Sequence, residues 1–189
     1  MRIISGNFKN KKLNFPKNSR TRPLKDSVKE NIFNILDHST KIKIRIKNSF
    51  VLDLYSGSGS FGLECISRQA AKVFFVEQDA EAVKSLENNI NNINEKKISY
   101  LYSEDVQDFI KNFDSDFKKK IDIIFVDPPY KNKNFLDILK KIKEGDILND
   151  EYIIILHRET KSEPKIEKNL DIIERRIYGR SEIFFCKFF

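Results

Sequence analysis

The stretch Val51-Leu-Asp-Leu-Tyr-Ser-Gly-Ser-Gly-Ser-Phe-Gly-Leu-Glu64 constrains the fold more than any other part of the chain. Its apolar start, ending at Leu54, reads as a buried strand. It passes through Gly57-x-Gly59-x-x-Gly62 and runs on into a helix start over Phe61–Arg68. A strand, a glycine turn and a helix form the opening unit of a nucleotide-binding α/β sheet. Glycines there leave the backbone amides and the helix N-terminus open to a ligand. Glu77 ends the second apolar run, Lys72–Glu77, twenty positions after Gly57. A carboxylate at that strand tip accepts the ribose hydroxyls of an adenosine. Asp53 discriminates among adenosine cofactors, because its charge repels a pyrophosphate and favours the sulfonium and ammonium of S-adenosylmethionine. Asp53, Tyr55, Ser56, Gly57, Gly59 and Glu77 are therefore candidate cofactor-binding residues, Tyr55 either closing over the ligand or packing in the core.

From Phe50 onward strand and helix patterns alternate. Strands are expected at 50–54, 72–77, 98–102, 121–126 and 152–156, with helices over about 58–69, 79–93, from 106 to 113, and 134–143. Leu170–Tyr178 and Glu182–Phe189, joined by Gly179-Arg-Ser181, read as a hairpin. The expected fold is α/β: a Rossmann-like, mostly parallel sheet finished by an antiparallel C-terminal hairpin, the sheet of class I methyltransferases. Before it, residues 2–15 read as a short hairpin around Gly6-Asn7, and Ser27 with Glu30 as a capping box opening a helix. Ile42, Ile44 and Ile46 alternate with Lys and Arg over Lys41–Asn48, as either an edge strand or a basic linker. The chain divides into a basic appendage, 1–48, and a catalytic domain, 49–189.

Asp127-Pro-Pro-Tyr130 follows the fourth strand, at an end where open α/β sheets place their ligands. Two prolines hold the loop extended and lack amide donors, which leaves carbonyls to accept from a ligand. Asp127 and the Pro128 carbonyl suit an exocyclic amino group, which has two protons to give. Tyr130 offers a ring on which a base stacks, typically worth about 1–3 kcal/mol. Asp127, Pro128, Pro129 and Tyr130 are the catalytic candidates, Asp127 holding the amine and taking its proton as charge develops. Asp105 and Val106, after the third strand, fit an adenine, the Asp105 carboxylate accepting from its amino group. Asp105 also reads as a helix N-cap, and both roles can hold together.

Charge is segregated. Residues 1–50 carry 13 Lys+Arg against 3 Asp+Glu, whereas the rest carries 22 against 25. The net charge of +7 is thus an N-terminal property, which points to a polyanionic partner. Lys9, Lys11, Lys12, Arg20, Arg22 and Lys25 are the candidates for contacting that polyanion, acting through phosphates if it is a nucleic acid such as RNA. No run approaches the roughly eighteen apolar residues of a membrane span, and no secretory signal is evident. Cys65 and Cys186 are expected as buried, reduced thiols; with His38 and His157 they form no metal-ligand pattern. A monomeric cytoplasmic protein without metal is expected.

Asp127-Pro-Pro-Tyr130 together with Asp53-Leu-Tyr-Ser-Gly-Ser-Gly59 resembles the amino-group methyltransferases of the class I fold. Arg2-Ile-Ile-Ser-Gly6, Lys12-Leu13, Pro16, Thr21-Arg-Pro23, Asp26, Val28-Lys-Glu30 and Phe33-Asn-Ile-Leu36 resemble the RsmD family over the whole chain. That family comprises bacterial 16S ribosomal RNA guanine-N2 methyltransferases. The resemblance implies methyl transfer from S-adenosylmethionine to a guanine N2 amine of 16S rRNA or of a small-subunit assembly intermediate. It further implies that Thr21–Pro23 reaches the cofactor's carboxylate. The chain departs from the family at Leu156-His-Arg-Glu159, where a Glu often stands near the end of the fifth strand; no role is assigned there.

The same chemistry serves a DNA adenine-N6 or cytosine-N4 methyltransferase, but those usually need a recognition region larger than fifty residues. Glutamine-directed protein methyltransferases usually carry Asn where Asp127 stands. A non-catalytic RNA-binding assembly factor is the rival of another class, and a cofactor-binding assay separates it from an enzyme.

Overall fold

The computed structural model describes residues 1–16, 24–113, 120–129, 135–160 and 170–189. Five strands run parallel: β1 (Phe50–Leu54), β2 (Lys72–Val76), β3 (Ser99–Tyr102), β4 (Ile121–Val126) and β5 (Leu148–Glu159). A closing hairpin, β6 (Leu170–Tyr178) and β7 (Ser181–Phe188), completes a seven-stranded sheet of order β3-β2-β1-β4-β5-β7-β6, with β7 antiparallel to both neighbours. This is the expected class I methyltransferase arrangement. β1 and β4, at the centre, are apolar and buried almost throughout because helices cover both faces. β5 is longer than its apolar run, since β7 pairs with it from Ile154 to Glu159.

Helices α1 (Asp26–His38), α2 (Ser60–Ser67) and α3 (Ala80–Ile93) cover one face; α4 (Val106–Asn112) and α5 (Phe135–Glu144) cover the other. Phe33 of α1, Phe61 of α2 and Phe125 of β4 stack in series, with ring centroids 5.1 and 4.2 Å apart. Each such contact adds roughly 0.5–1.5 kcal/mol beyond area burial. Ile3, Leu13, Leu24, Ile32, Ile42 and Ile46 join the same apolar cluster, so the N-terminal residues share the core of the sheet. Both cysteines are free and buried. No helix among the described residues is long and apolar enough to cross a membrane.

Of three local expectations, one fails, one is shortened and one open alternative is settled. The capping box does not form: α1 begins at Asp26 with Lys25 as N-cap and no side-chain cap. Buried Leu24 fixes the approach of the chain, and Ser27 falls inside the first turn. Residues 2–15 fold back as a short hairpin, with the bridge Arg2 to Lys12 and backbone bonds from Ile3 to Lys11, Asn10 to Ile3 and Leu13 to Met1, rather than a longer ladder. The amides that would build the ladder are taken elsewhere: Ile4 and Ser5 donate to Glu64 (2.7 and 2.9 Å), and Phe8 donates to Ser67 Oγ (2.9 Å). Lys41–Asn48 forms no strand; Ile42 and Ile46 are buried while Lys41, Lys43, Arg45 and Lys47 face solvent.

A buried polar network fastens this N-terminal segment. Lys29, fully buried on α1, donates to the Arg2 carbonyl (2.6 Å) and to Ser60 Oγ (3.1 Å), and lies 3.7 Å from Glu64. Glu64 also accepts from Arg68 (3.0 Å), which reaches Asp37 (2.6 Å). Burial holds the Lys29 ammonium below its usual pKa, against the opposing pull of Glu64 and Asp26. Asn89, fully buried on α3, ties the Asn14 main chain (2.7 and 3.0 Å) to the Ser58 carbonyl (3.0 Å).

Candidate active site

The parallel strands deliver the predicted residues to one end of the sheet. Leu54, Val76, Val126 and Leu156 are last or nearly last in register across β1, β2, β4 and β5. The residues just beyond them, Tyr55, Glu77, Asp127 and His157, therefore stand side by side.

The glycine turn is left-handed at Tyr55 (φ 59°), Gly57 (φ 56°) and Gly59 (φ 78°). For a tyrosine that conformation costs about 1–2 kcal/mol, and so needs the surrounding structure to impose it. Packing requires glycine at both Gly59 and Gly62. A Cβ on Gly59 would stand 2.3 Å from Leu86 Cδ1, and one on Gly62 would stand 2.3 Å from Phe75 Cε1. The Ser56 amide and hydroxyl both donate to the Val76 carbonyl (3.1 and 3.3 Å), which locks the turn to β2.

Three carboxylates converge on this turn. Asp53 is 1% exposed and accepts the Gly62 amide at 2.9 Å. Its carboxyl is pushed well above the usual range, first by burial and then by repulsion from Asp127 and Glu77; only the Gly62 hydrogen bond opposes this. Glu77 accepts the amides of Gly57 (2.8 Å), Gln78 (2.9 Å) and Asp79 (2.8 Å), so its rotamer is set from both sides of the turn. Asp127 stands on the first residue past β4, with Pro128 buried and Pro129 exposed after it. Asp105 is the N-cap of α4, accepting the Gln107 amide at 2.7 Å, and Val106 behind it is buried.

His157 is the residue that sequence reading left without a role. Its Nδ1 lies 2.9 Å from Asp127 Oδ1, and the residue is only 7% exposed. Burial alone would lower its pKa; the attraction of Asp127 and the hydrogen bond to it together outweigh that and hold it above the ordinary value. The signal was available: both residues immediately follow apolar strand runs, and the runs are neighbours in the sheet. The basic candidates scatter instead. Lys25 caps α1, near Ser60 and the glycine turn through Lys29, whereas Lys9 and Lys11 lie at the far ends of α2 and α3. The Lys11 ammonium there donates to the Asn92 carbonyl, in the last turn of α3. Lys12 is exposed beside Arg2. Tyr130, Arg20, Arg22 and Thr21–Pro23 lie outside the described residues. A groove of about 590 Å³ between α1 and β6, lined among others by Asn31, His38, Lys41 and Arg176, contains none of the candidate site residues. The candidate active-site residues thus gather at the strand tips, outside that groove.

The family described as "Conserved hypothetical protein 95" matches residues 1–187. The chain belongs to that family, the RsmD family of the sequence resemblance. "Ribosomal RNA small subunit methyltransferase D" of Buchnera aphidicola subsp. Acyrthosiphon pisum is 30% identical, the match covering 96% of this chain and 90% of that protein. The protein of the same name from Haemophilus influenzae is also 30% identical, over 94% and 93% of the two chains. Among solved structures, yhhF from Escherichia coli has a TM-score of 0.82 at 25% identity, covering 100% of this chain and 97% of that one. By family and fold, this member of the RsmD family is a methyltransferase.

Proposed function

We propose that this methyltransferase uses S-adenosylmethionine to methylate the exocyclic N2 amine of a guanine in 16S rRNA. The observation that carries the reading is the meeting of Asp53, Glu77 and Asp127 at one end of the sheet, around a turn built on Gly57 and Gly59. Such a site has an excess of negative charge and suits a cationic ligand with a ribose. The bound cofactor would supply an electrophilic methyl group. Glu77, fixed by three amides, presents its remaining lone pairs to ribose hydroxyls; Asp105 and Val106 border the adenine. Asp53 acts through its field from below the turn, since it is too buried to cover the ligand.

Asp127 has the part of acceptor. Its carboxylate and the Pro128 carbonyl hold the two amine protons, which aims the nitrogen lone pair at the methyl carbon. As the carbon–nitrogen bond forms and the carbon–sulfur bond breaks, positive charge develops on nitrogen, and Asp127 takes the surplus proton. Tyr130 stacks on the base. Lys9, Lys11, Lys12, Arg20, Arg22 and Lys25 contribute phosphate contacts, and residues 1–48 act as the RNA-binding part of the chain. The names of the two relatives at 30% identity support an rRNA substrate. The test is transfer of labelled methyl to unmodified 16S rRNA and to small subunits, followed by mass mapping. One N2-methylguanine is expected; methylated adenine, methylated DNA, or no transfer would overturn the reading.

A further inference from the structure

We propose that His157 is a positioning residue for Asp127: it holds Oδ1 so that the carboxylate meets the substrate amine in one orientation. This rests on the reading of Asp127 as the amine's acceptor and deepens it. The register makes the pair, because Val126 lies beside Leu156 and the next residue of each strand follows in the same direction. His157 is held in turn by β7, where it pairs with Ile183 between the Leu156–Phe184 and Arg158–Glu182 pairs. A backbone paired with β7 and a side chain nearly sealed from water leave the imidazole little freedom. Nδ1 at 2.9 Å then restrains Oδ1 of Asp127, whose backbone amide meets the Leu54 carbonyl at 3.4 Å as β4 ends.

The corner is acidic: Asp127 and Glu77 both add to the upward push on the buried Asp53 carboxyl. Asp127 beyond β4 and Arg158 on its own strand act on His157, and Glu182 of β7 lies opposite Arg158. Glu182 is matched by Arg175 of β6 at 2.6 Å. Asp127 is thus the acid that the imidazole faces directly.

The experiment compares His157→Asn, which keeps an N–H donor near Nδ1, with His157→Leu and His157→Phe, which keep bulk without one. Steady-state kcat and KM for 16S rRNA, cofactor affinity by calorimetry, and melting temperature are measured on the full chain. His157→Leu and His157→Phe should lose about 10–100-fold in kcat with cofactor affinity within about twofold. His157→Asn should recover most of the loss, because a neutral N–H donor beside Asp127 Oδ1 is what the role requires. Equal rates for the Asn and Phe variants would overturn the assignment; if His157→Leu does not fold, the Phe and Asn pair still decides. Asp127→Asn is run in parallel. If it alone is inactive while every His157 variant is fully active, only the role of His157 fails. If Asp127→Asn is itself fully active, the underlying reading of the amine site fails.

Discussion

Two groups of ionisable residues flank α2, and they are built on opposite rules. At one, Lys29, Glu64, Arg68 and Asp37 alternate in sign, and each has an opposite charge within 4 Å. At the other, Asp53, Glu77 and Asp127 stand together, and the His157 imidazole meets Asp127. The first group is electrostatically complete and ties three segments together. The second sets three acids against one imidazole, an imbalance that the proposed cationic ligand would offset. Burial is similar in both, with Glu64 fully buried and Asp53 1% exposed, so it is the balance of sign that separates structure from site.

The comparison breaks most sharply at Asp127. Asp127→Ala should lower kcat about 10²–10⁴-fold while leaving cofactor affinity within about twofold, measured by turnover and calorimetry. Normal turnover would remove the acid from the mechanism and leave the second group without a chemical purpose. Next in size, Glu64→Leu strands the Lys29 ammonium and the amides of Ile4 and Ser5. Removing one partner of a buried pair costs about 3–5 kcal/mol, so a thermal scan should show the melting temperature falling by roughly 10 °C. A fall below about 2 °C would mean that the first group is not holding the N-terminal segment.

Asp53→Asn sharpens the contrast with a smaller effect. The amide oxygen still accepts from Gly62, but the buried charge is gone. Because the folded carboxyl titrates above its unfolded value, it binds a proton more tightly in the folded protein. Wild-type stability therefore falls as pH rises from the ordinary carboxylate range toward that raised value. The Asn variant should lack this decline and melt a few degrees higher at neutral pH, at about 2–4 °C per kcal/mol relieved. Its cofactor affinity should drop about tenfold; unchanged affinity would show that the field of Asp53 does not assist the ligand.

Sequence was most informative where structure is local. The runs at 50–54 and 121–126 predict β1 and β4 to the residue, because strands buried on both faces are written as unbroken apolar segments. The antiparallel hairpin followed from Gly179 and its flanks. Long-range polar pairing stayed hidden. Lys29 reads as one more surface lysine until Glu64, thirty-five residues on, is brought beneath it. Nothing near the N-terminal hairpin announces that Glu64 and Ser67 will take its amides. His157 becomes visible when the β4–β5 register is known, and the register is a property of the sheet rather than of either strand.

The Asn89 carboxamide carries a mechanical consequence. One side chain grips the main chain at Asn14 and, through its other contact, the carbonyl of Ser58 inside the glycine turn. A displacement of the main chain at Asn14 is thus passed directly to Ser58, so the N-terminal segment and the glycine turn are mechanically linked.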